Sequence, residues 1–307
     1  MPTDCIGIDI GYGFTKTCRA GDRRIFPTAV TLMATESTFS EVNPIIVNGH
    51  RFLVGKEAER EGATLDTCRS TFVASDAWVA VLGECLRING FPRGEVVLGV
   101  PPGMYCREYS QKILDAVRKA EIRINRESCR IGGDIRIIPQ GAGIFFRHLK
   151  EHPDDYGKNV AIIDIGHHTV DMVLFSGRKY VESARQSREI GVYQILDDIV
   201  NAFYRQHRLQ IGSKDAIGIL RGGQVTHLGI SYPLDITEEV NRYVRRLESV
   251  IDRYLEKLPV RPDVGVLGGG GAVVIDHLVN LSHRLLMVNE PALANAVGYW
   301  LYGSDGR

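Results

Sequence analysis

The sequence predicts an α/β protein of two domains built on one plan. Three observations carry that expectation. The chain has 307 residues, and at about 100–200 residues per domain that is a length for two. The segment Ile8-Asp9-Ile10-Gly11 returns as Ile163-Asp164-Ile165-Gly166, an offset of 155 residues, half of the chain. Behind each copy stands the same succession of short β-branched runs broken by turns, which marks an internal duplication.

The elements follow in order. Cys5 to Ile10 alternates as a strand; after Gly11-Tyr12-Gly13 a second run, Phe14 to Arg19, leads through Ala20-Gly21-Asp22 to a third, Arg23 to Phe26. With no helix between them, these strands form an antiparallel meander and not a βαβ unit. Residues 31–44 are polar and irregular, and Ile45 to Val54 reads as a hairpin around Asn48-Gly49. Ala74 to Asn89 predicts a helix, Glu95 to Val100 a buried strand stopped by Pro101-Pro102, and Arg107 to Ala120 an amphipathic helix. Ile135 to Ile138 is a short strand ending at Pro139, and Gln140-Gly141-Ala142-Gly143 opens a helix through Lys150.

In the second half, His152 to Asn159 carries loop breakers, Val160 to Ile165 is a strand, and Gly166-His167-His168-Thr169 a loop. Val170 to Phe175 and Lys179 to Ala184 complete the second meander. Val192, Ile195, Leu196, Ile199, Val200 and Phe203 fall at helical spacing. Thr237 reads as the N-cap of a helix from Glu238 to Leu258, with Arg242, Arg245, Arg246 and Arg253 on its polar side as candidate subunit contacts. Val264 to Leu267 is a strand running into Gly268 to Gly271, and a helix from about Pro291 to Tyr302 closes the chain.

Composition removes several classes. Lys and Arg number 37 against 37 Asp and Glu, so the net charge is zero and the pI about 7.1. A protein that grips nucleic acid directly shows a basic excess or patch, and this chain has no such excess. Hydrophobic residues at 44% and charged ones at 24% fit a soluble globular protein. No apolar run approaches the roughly 18–20 residues of a membrane span, and Met1-Pro2-Thr3-Asp4 opens no secretory signal. The six cysteines form no CxxC pair, which predicts reduced thiols in a cytoplasmic protein.

The chemistry concentrates at the two Asp-x-Gly turns. Such a turn puts a carboxylate beside exposed backbone N–H groups, which bind phosphate oxygens while the carboxylate holds hydrated Mg²⁺. Two such loops across a cleft would clamp a triphosphate. Lys16 on the outgoing strand can pair with phosphate, Thr169 can donate its hydroxyl to the γ-phosphate, and Asp171 can approach the metal or the attacking water. Competing motifs are absent. Gly49 to Lys56 has the wrong spacing for a P-loop, and Gly11-Tyr12-Gly13 lacks the third Gly and the helix of a Rossmann turn.

Five segments in order resemble the actin-like ATPases of the actin, sugar-kinase and heat-shock-chaperone superfamily, and within it the plasmid-segregation ParM proteins. Gly7 to Lys16 resembles the first phosphate loop, Pro139 to Gly143 the first connecting helix, and Asp164 to Asp171 the second phosphate loop. Gly268, Gly269, Gly270 and Gly271 resemble the adenosine loop, and Asn289 to Gly298 the second connecting helix. The resemblance implies an actin-like duplicated fold, two domains with mixed sheets flanked by helices around a nucleotide cleft. Domain I would span 1–150 with a small insert at about 31–60. Domain II would span 151–307 with a helical insert at about 205–260, and the last helix, about 291–302, would return toward domain I.

It further implies ATP and Mg²⁺ as cofactors, with Asp9 and Asp164 catalytic and holding the metal largely through water, and Gln140 orienting the attacking water. Gly11, Tyr12, Gly13, Lys16, Gly166, His167, His168, Thr169 and Asp171 would contact the nucleotide. His167-His168 stand where many relatives have Gly-Gly. Either both rings point away and only backbone N–H groups meet phosphate, or His168 touches the γ-phosphate or its water. The implied partners are other copies of the chain in a filament and a DNA-binding adaptor, with no direct nucleic acid and no membrane. A small-molecule kinase of the same superfamily is the alternative; it would need a second catalytic carboxylate, and none is evident.

Overall fold

Both Asp-x-Gly segments leave the central strand of a sheet. The computed structural model describes residues 4–33, 43–62, 64–69, 71–91, 94–125, 127–129, 131, 133–276 and 285–304. In the first half, β1 (Cys5–Ile10), β2 (Phe14–Arg19) and β3 (Asp22–Pro27) form the expected antiparallel meander. After β4 (Val30–Leu32), β5 (Ile45–Val47), β6 (His50–Val54), α1 (Lys56–Glu61) and α2 (Asp76–Ile88), the chain returns as β7 (Glu95–Val100), parallel to β1. Then follow α3 (Arg107–Lys119), β8 (Ile122–Ile124), β9 (Glu127–Cys129) and β10 (Ile135–Pro139), the last parallel to β7. The strand order is β10-β7-β1-β2-β3.

The second half repeats this plan. After α4 (Ala142–Glu151) come β11 (Asn159–Ile165), β12 (Val170–Ser176), β13 (Lys179–Tyr180) and β14 (Gln186–Arg188). Next are α5 (Tyr193–His207), α6 (Ser213–Leu220), the hairpin β15 (Val225–His227) and β16 (Ile230–Tyr232), and α7 (Thr237–Glu256). The chain then re-enters the sheet as β17 (Val264–Gly268), continues through α8 (Gly270–Ile275) and β18 (Leu285–Met287), and closes with α9 (Ala294–Ser304). The order is β13-β12-β11-β17-β18. Antiparallel partners lie on one side of β11 and parallel ones on the other, as around β1.

Some expectations are corrected. The strand expected over Lys179 to Ala184 stops at Tyr180 and passes into a 3₁₀ turn, Glu182–Ala184. Thr237 does not cap α7 but begins it. Asp235 takes the capping part, its Oδ1 accepting from the Thr237 backbone N at 3.0 Å and hydroxyl at 2.6 Å. Arg242 and Arg246 stay exposed on α7 while donating to Asp198 at 3.3 Å and Gln194 at 3.0 Å on α5, which leaves their candidacy as subunit contacts open. A second five-stranded sheet of the first half, β4-β6-β5-β8-β9, packs on α2; residues 34–42 of the insert expected there lie outside the described residues. The Asn48-Gly49 turn is as expected, with positive φ at both residues.

The two connecting helices exchange sheets. α4 leaves β10 yet packs on β11 and β17, while α9 follows β18 and packs on β1, β2 and β7. They cross where Gly143 meets Asn295 and Gly298. A Cβ at either glycine would overlap the partner's backbone, so only glycine permits this approach. Phe145 of α4 stacks on Phe175 of β12, rings parallel and 4.0 Å apart, and Tyr299 of α9 is fully buried beside them. Among the described residues no helix is long and apolar enough to cross a membrane.

Candidate functional site

The antiparallel register of β1 and β2 sets Asp9 directly opposite Lys16. The ammonium meets Asp9 Oδ2 at 3.0 Å. Strands β7 and β10 run parallel to β1 and deliver Gln140 to the same end of the sheet, where its Nε2 donates to Asp9 Oδ1 at 2.9 Å. Asp9 is 4% exposed, so its charge is held by one cation and one amide rather than by water. No described residue donates to the Gln140 side-chain oxygen.

Asp164, 6% exposed, ends β11 as Asp9 ends β1, and Asn295 serves it as Gln140 serves Asp9. The Asn295 amide nitrogen donates to Asp164 Oδ2 at 2.6 Å, and its oxygen accepts from the backbone N of Gly141 at 3.1 Å. Gln140 and Asn295 are 155 residues apart, as are Asp9 and Asp164, and Gly143 and Gly298. The duplication therefore extends to the carboxamide behind each carboxylate. Sequence reading placed Asn295 in a connecting helix without a site role; the spacing was the signal that could have found it.

Asp171 lies opposite Asp164 in the β11–β12 ladder. The hydroxyls of Thr169, at 3.0 Å, and of Ser187 both donate to it. Thr169 is thus engaged with Asp171, and Lys16 with Asp9. Burial, with the Asp171 and Asp9 charges, pushes Asp164 up to about 7. Burial likewise pushes Asp171 up to about 6, against the pull of the Ser187 and Thr169 hydroxyls. Three buried carboxylates against one ammonium leave an excess of negative charge that suits a hard divalent cation. Among the described residues no cluster of three or more side chains could hold such an ion alone. One or two carboxylates completed by water and phosphate is the donor set Mg²⁺ favours. Asp164 is the better placed, because both oxygens of Asp9 are already engaged.

The two loops face each other. A Cβ on Gly13 would come within 2.8 Å of the His167 ring, and the His168 ring meets Tyr12 edge-on with centroids 5.2 Å apart. Both imidazoles therefore point across to the opposite loop, not away from it. Loop carbonyls are tied elsewhere: Gly13 O accepts from Thr28 N, Tyr12 O from the Thr67 hydroxyl, Gly166 O from Val192 N, His167 O from Tyr193 N and His168 O from Gly191 N. The N–H groups of Tyr12, Gly13, His167, His168 and Thr169 donate to no backbone carbonyl among the described residues. Carbonyls bonded outward and amides left free make an anion seat. Gly11 and Gly166 close each turn by donating to Phe14 O and Thr169 O.

The glycine run joins the same end of the second sheet. Gly268 pairs with Asp164 in the ladder, Gly269 N donates to Pro291 O at 2.9 Å, and Gly270 and Gly271 open α8. Every site residue expected from the sequence thus falls at the sheet ends beside Asp9 or Asp164. Comparison with known proteins bears on the fold. Residues 7–143 match the family model of the N-terminal domain of actin-like proteins. The structure of a 15-stranded ParM filament from Clostridium botulinum superposes with a TM-score of 0.79 at 20% identity, over 99% of this chain and all of that one. The chain has the actin-like fold. An archaeal actin homolog in complex with ADP superposes on this actin-like chain with a TM-score of 0.76 at 19% identity, over 97% of this chain and 98% of the other. In sequence, the archaeal actin homolog of Thermoplasma acidophilum is 24% identical over 337 residues, 96% of this chain and 97% of its own length.

Proposed function

We propose that this actin-like chain is an ATPase of ParM type, which binds ATP with Mg²⁺ between its two halves and assembles with itself into nucleotide-dependent filaments. One observation carries the reading: two loops with free N–H groups face each other beside buried, under-compensated carboxylates. In this reading the seat lies between the two sheets, domain I taken as 1–150 and domain II as 151–307. The loop amides bind phosphate oxygens, Lys16 offsets their charge beside Asp9, and Gly268 to Gly271 line the adenosine side. Asp9 and Asp164 would hold the metal largely through water, Asp164 with the freer oxygen, and the metal when bound supplies charge compensation for the phosphates. Gln140, fixed through its amide nitrogen to Asp9, presents its free side-chain oxygen to the attacking water. Such a site works by positioning and electrostatics without a covalent intermediate.

The ParM likeness, with zero net charge, supports a cytoplasmic filament that reaches DNA through an adaptor protein and serves plasmid segregation. Ultracentrifugal pelleting at micromolar to tens of micromolar protein, with ATP, with ADP and without nucleotide, tests assembly. The pellet is expected with ATP; a chain that stays in the supernatant throughout leaves the kinase reading the better one. In the same preparations, Asp9→Ala and Asp164→Ala are expected to lose ATP turnover. Parent-like rates in both would show the site assignment wrong.

A further inference from the structure

We propose that His168 is the specificity-determining residue of this site, its ring Nδ1 donating a hydrogen bond to the terminal phosphate and so separating triphosphate from diphosphate. The inference rests on the reading above. Its basis is the setting of one side chain. The His168 backbone is pinned, its carbonyl taking Gly191 N at 2.9 Å while the preceding carbonyl takes Tyr193 N. Its ring is held between Tyr12 of the opposite loop, at 5.2 Å edge-on, and Tyr193 at the start of α5, at 4.7 Å tilted. Held this way, the ring cannot swing out without giving up both contacts.

Nδ1 is enclosed and has no hydrogen-bond partner. Buried polar atoms are rarely left so, and an orphan beside free backbone amides marks the place of a ligand atom. The neighbouring His167 ring packs on Gly13 of the opposite loop instead. Aspartates near the seat are engaged elsewhere, Asp9 with Lys16 and Gln140, and Asp171 with Thr169 and Ser187. The ligand atom that fits is therefore an acceptor, and an imidazole N–H facing a phosphate oxygen supplies the match. Loop amides serve every phosphate alike, so a distinction between triphosphate and diphosphate falls to a side chain.

The test measures equilibrium affinity of the full chain for ADP and for a nonhydrolysable ATP analogue, in the parent, His168→Phe and His168→Asn. Phe keeps the ring between the tyrosines without nitrogen, and Asn places an amide nitrogen near the position of Nδ1. A hydrogen bond to a charged oxygen is worth about ten- to a hundredfold in affinity. His168→Phe is expected to weaken analogue binding at least about tenfold with ADP affinity held, and His168→Asn to restore most of it. Equal weakening of both nucleotides would make His168 a packing residue, and no weakening would overturn the proposal outright. A parent that binds neither nucleotide would instead sink the functional reading on which it rests. In the unaltered protein with ¹⁵N-labelled histidine, one Nδ1 resonance should move with the analogue and not with ADP. If none moves, or ADP moves it equally, the proposal fails whatever the variants do.

Discussion

Asn295 joins two parts of the molecule through one side chain, with its nitrogen on Asp164 and its oxygen on the first amide before α4. Removing it leaves a buried carboxylate and a buried N–H without partners. Asn295→Ala should lose about 3 kcal/mol of stability, one charged and one neutral buried hydrogen bond, read as a lower denaturant midpoint at unchanged slope. Gln140→Ala should behave differently. Asp9 keeps Lys16, so stability falls less, and nucleotide still binds. Hydrolysis should slow at least about tenfold, near 1.4 kcal/mol, because a water-orienting group acts in the transition state. Equal losses of affinity and rate would assign Gln140 to binding. Both Asp positions and the glycine runs were legible from the strand ends they occupy. The role of Asn295 was not, and the direction of the His167 and His168 rings stayed open between two alternatives, because both arise from contacts between segments that no local pattern records.

The helix crossing and the end of α4 set the rules at the level of elements. Gly298→Ala places a Cβ against Gly143 O, where neither backbone can move without shifting its helix. The cost should exceed about 3 kcal/mol and show as loss of soluble protein. Gly218→Ala, in α6 with open space around it, should instead add about 0.5–1 kcal/mol, as helical Gly to Ala does. At the end of α4, burial holds buried His148 below its usual 6.5 despite Asp155, whose Oδ2 lies 2.8 Å from Nε2. A lowered histidine refuses the proton that the unfolded chain accepts, so its contribution is present above pH 6.5 and is lost as pH falls. Asp155, held below its usual range by the Lys158 and His148 hydrogen bonds against burial, acts in the same direction at lower pH. The thermal midpoint should therefore drop from pH 7 to 5, and His148→Gln, which keeps an amide nitrogen for Asp155, should flatten that drop. Long apolar strands and helices were readable because their periods are sustained. The three-residue strands β4, β8, β9, β14, β15, β16 and β18 were not, since so short a run shows no period and is fixed by its partner.

On the scale of the whole molecule, repetition at 155 residues builds two sheets of one topology, but the covering helices do not stay with the sheets that precede them. Each half gives its connecting helix to the other: α4 lies on β11 and β17, and α9 on β1, β2 and β7. Neither sheet is closed by its own half alone. The two halves are thus interlocked rather than strung together, although the sequence reads as a tandem pair. A backbone break between Tyr156 and Gly157 should consequently yield two fragments, 1–156 and 157–307, that are insoluble or unfolded singly. Produced together, with a tag on one, they should purify as a pair with the circular dichroism of the intact chain. Two fragments that each stay soluble and folded alone would refute the interlock. A covalent link between the halves is then needed for their stoichiometry and not for their recognition of each other, and this protein is a natural candidate for a split reporter that reassembles in trans.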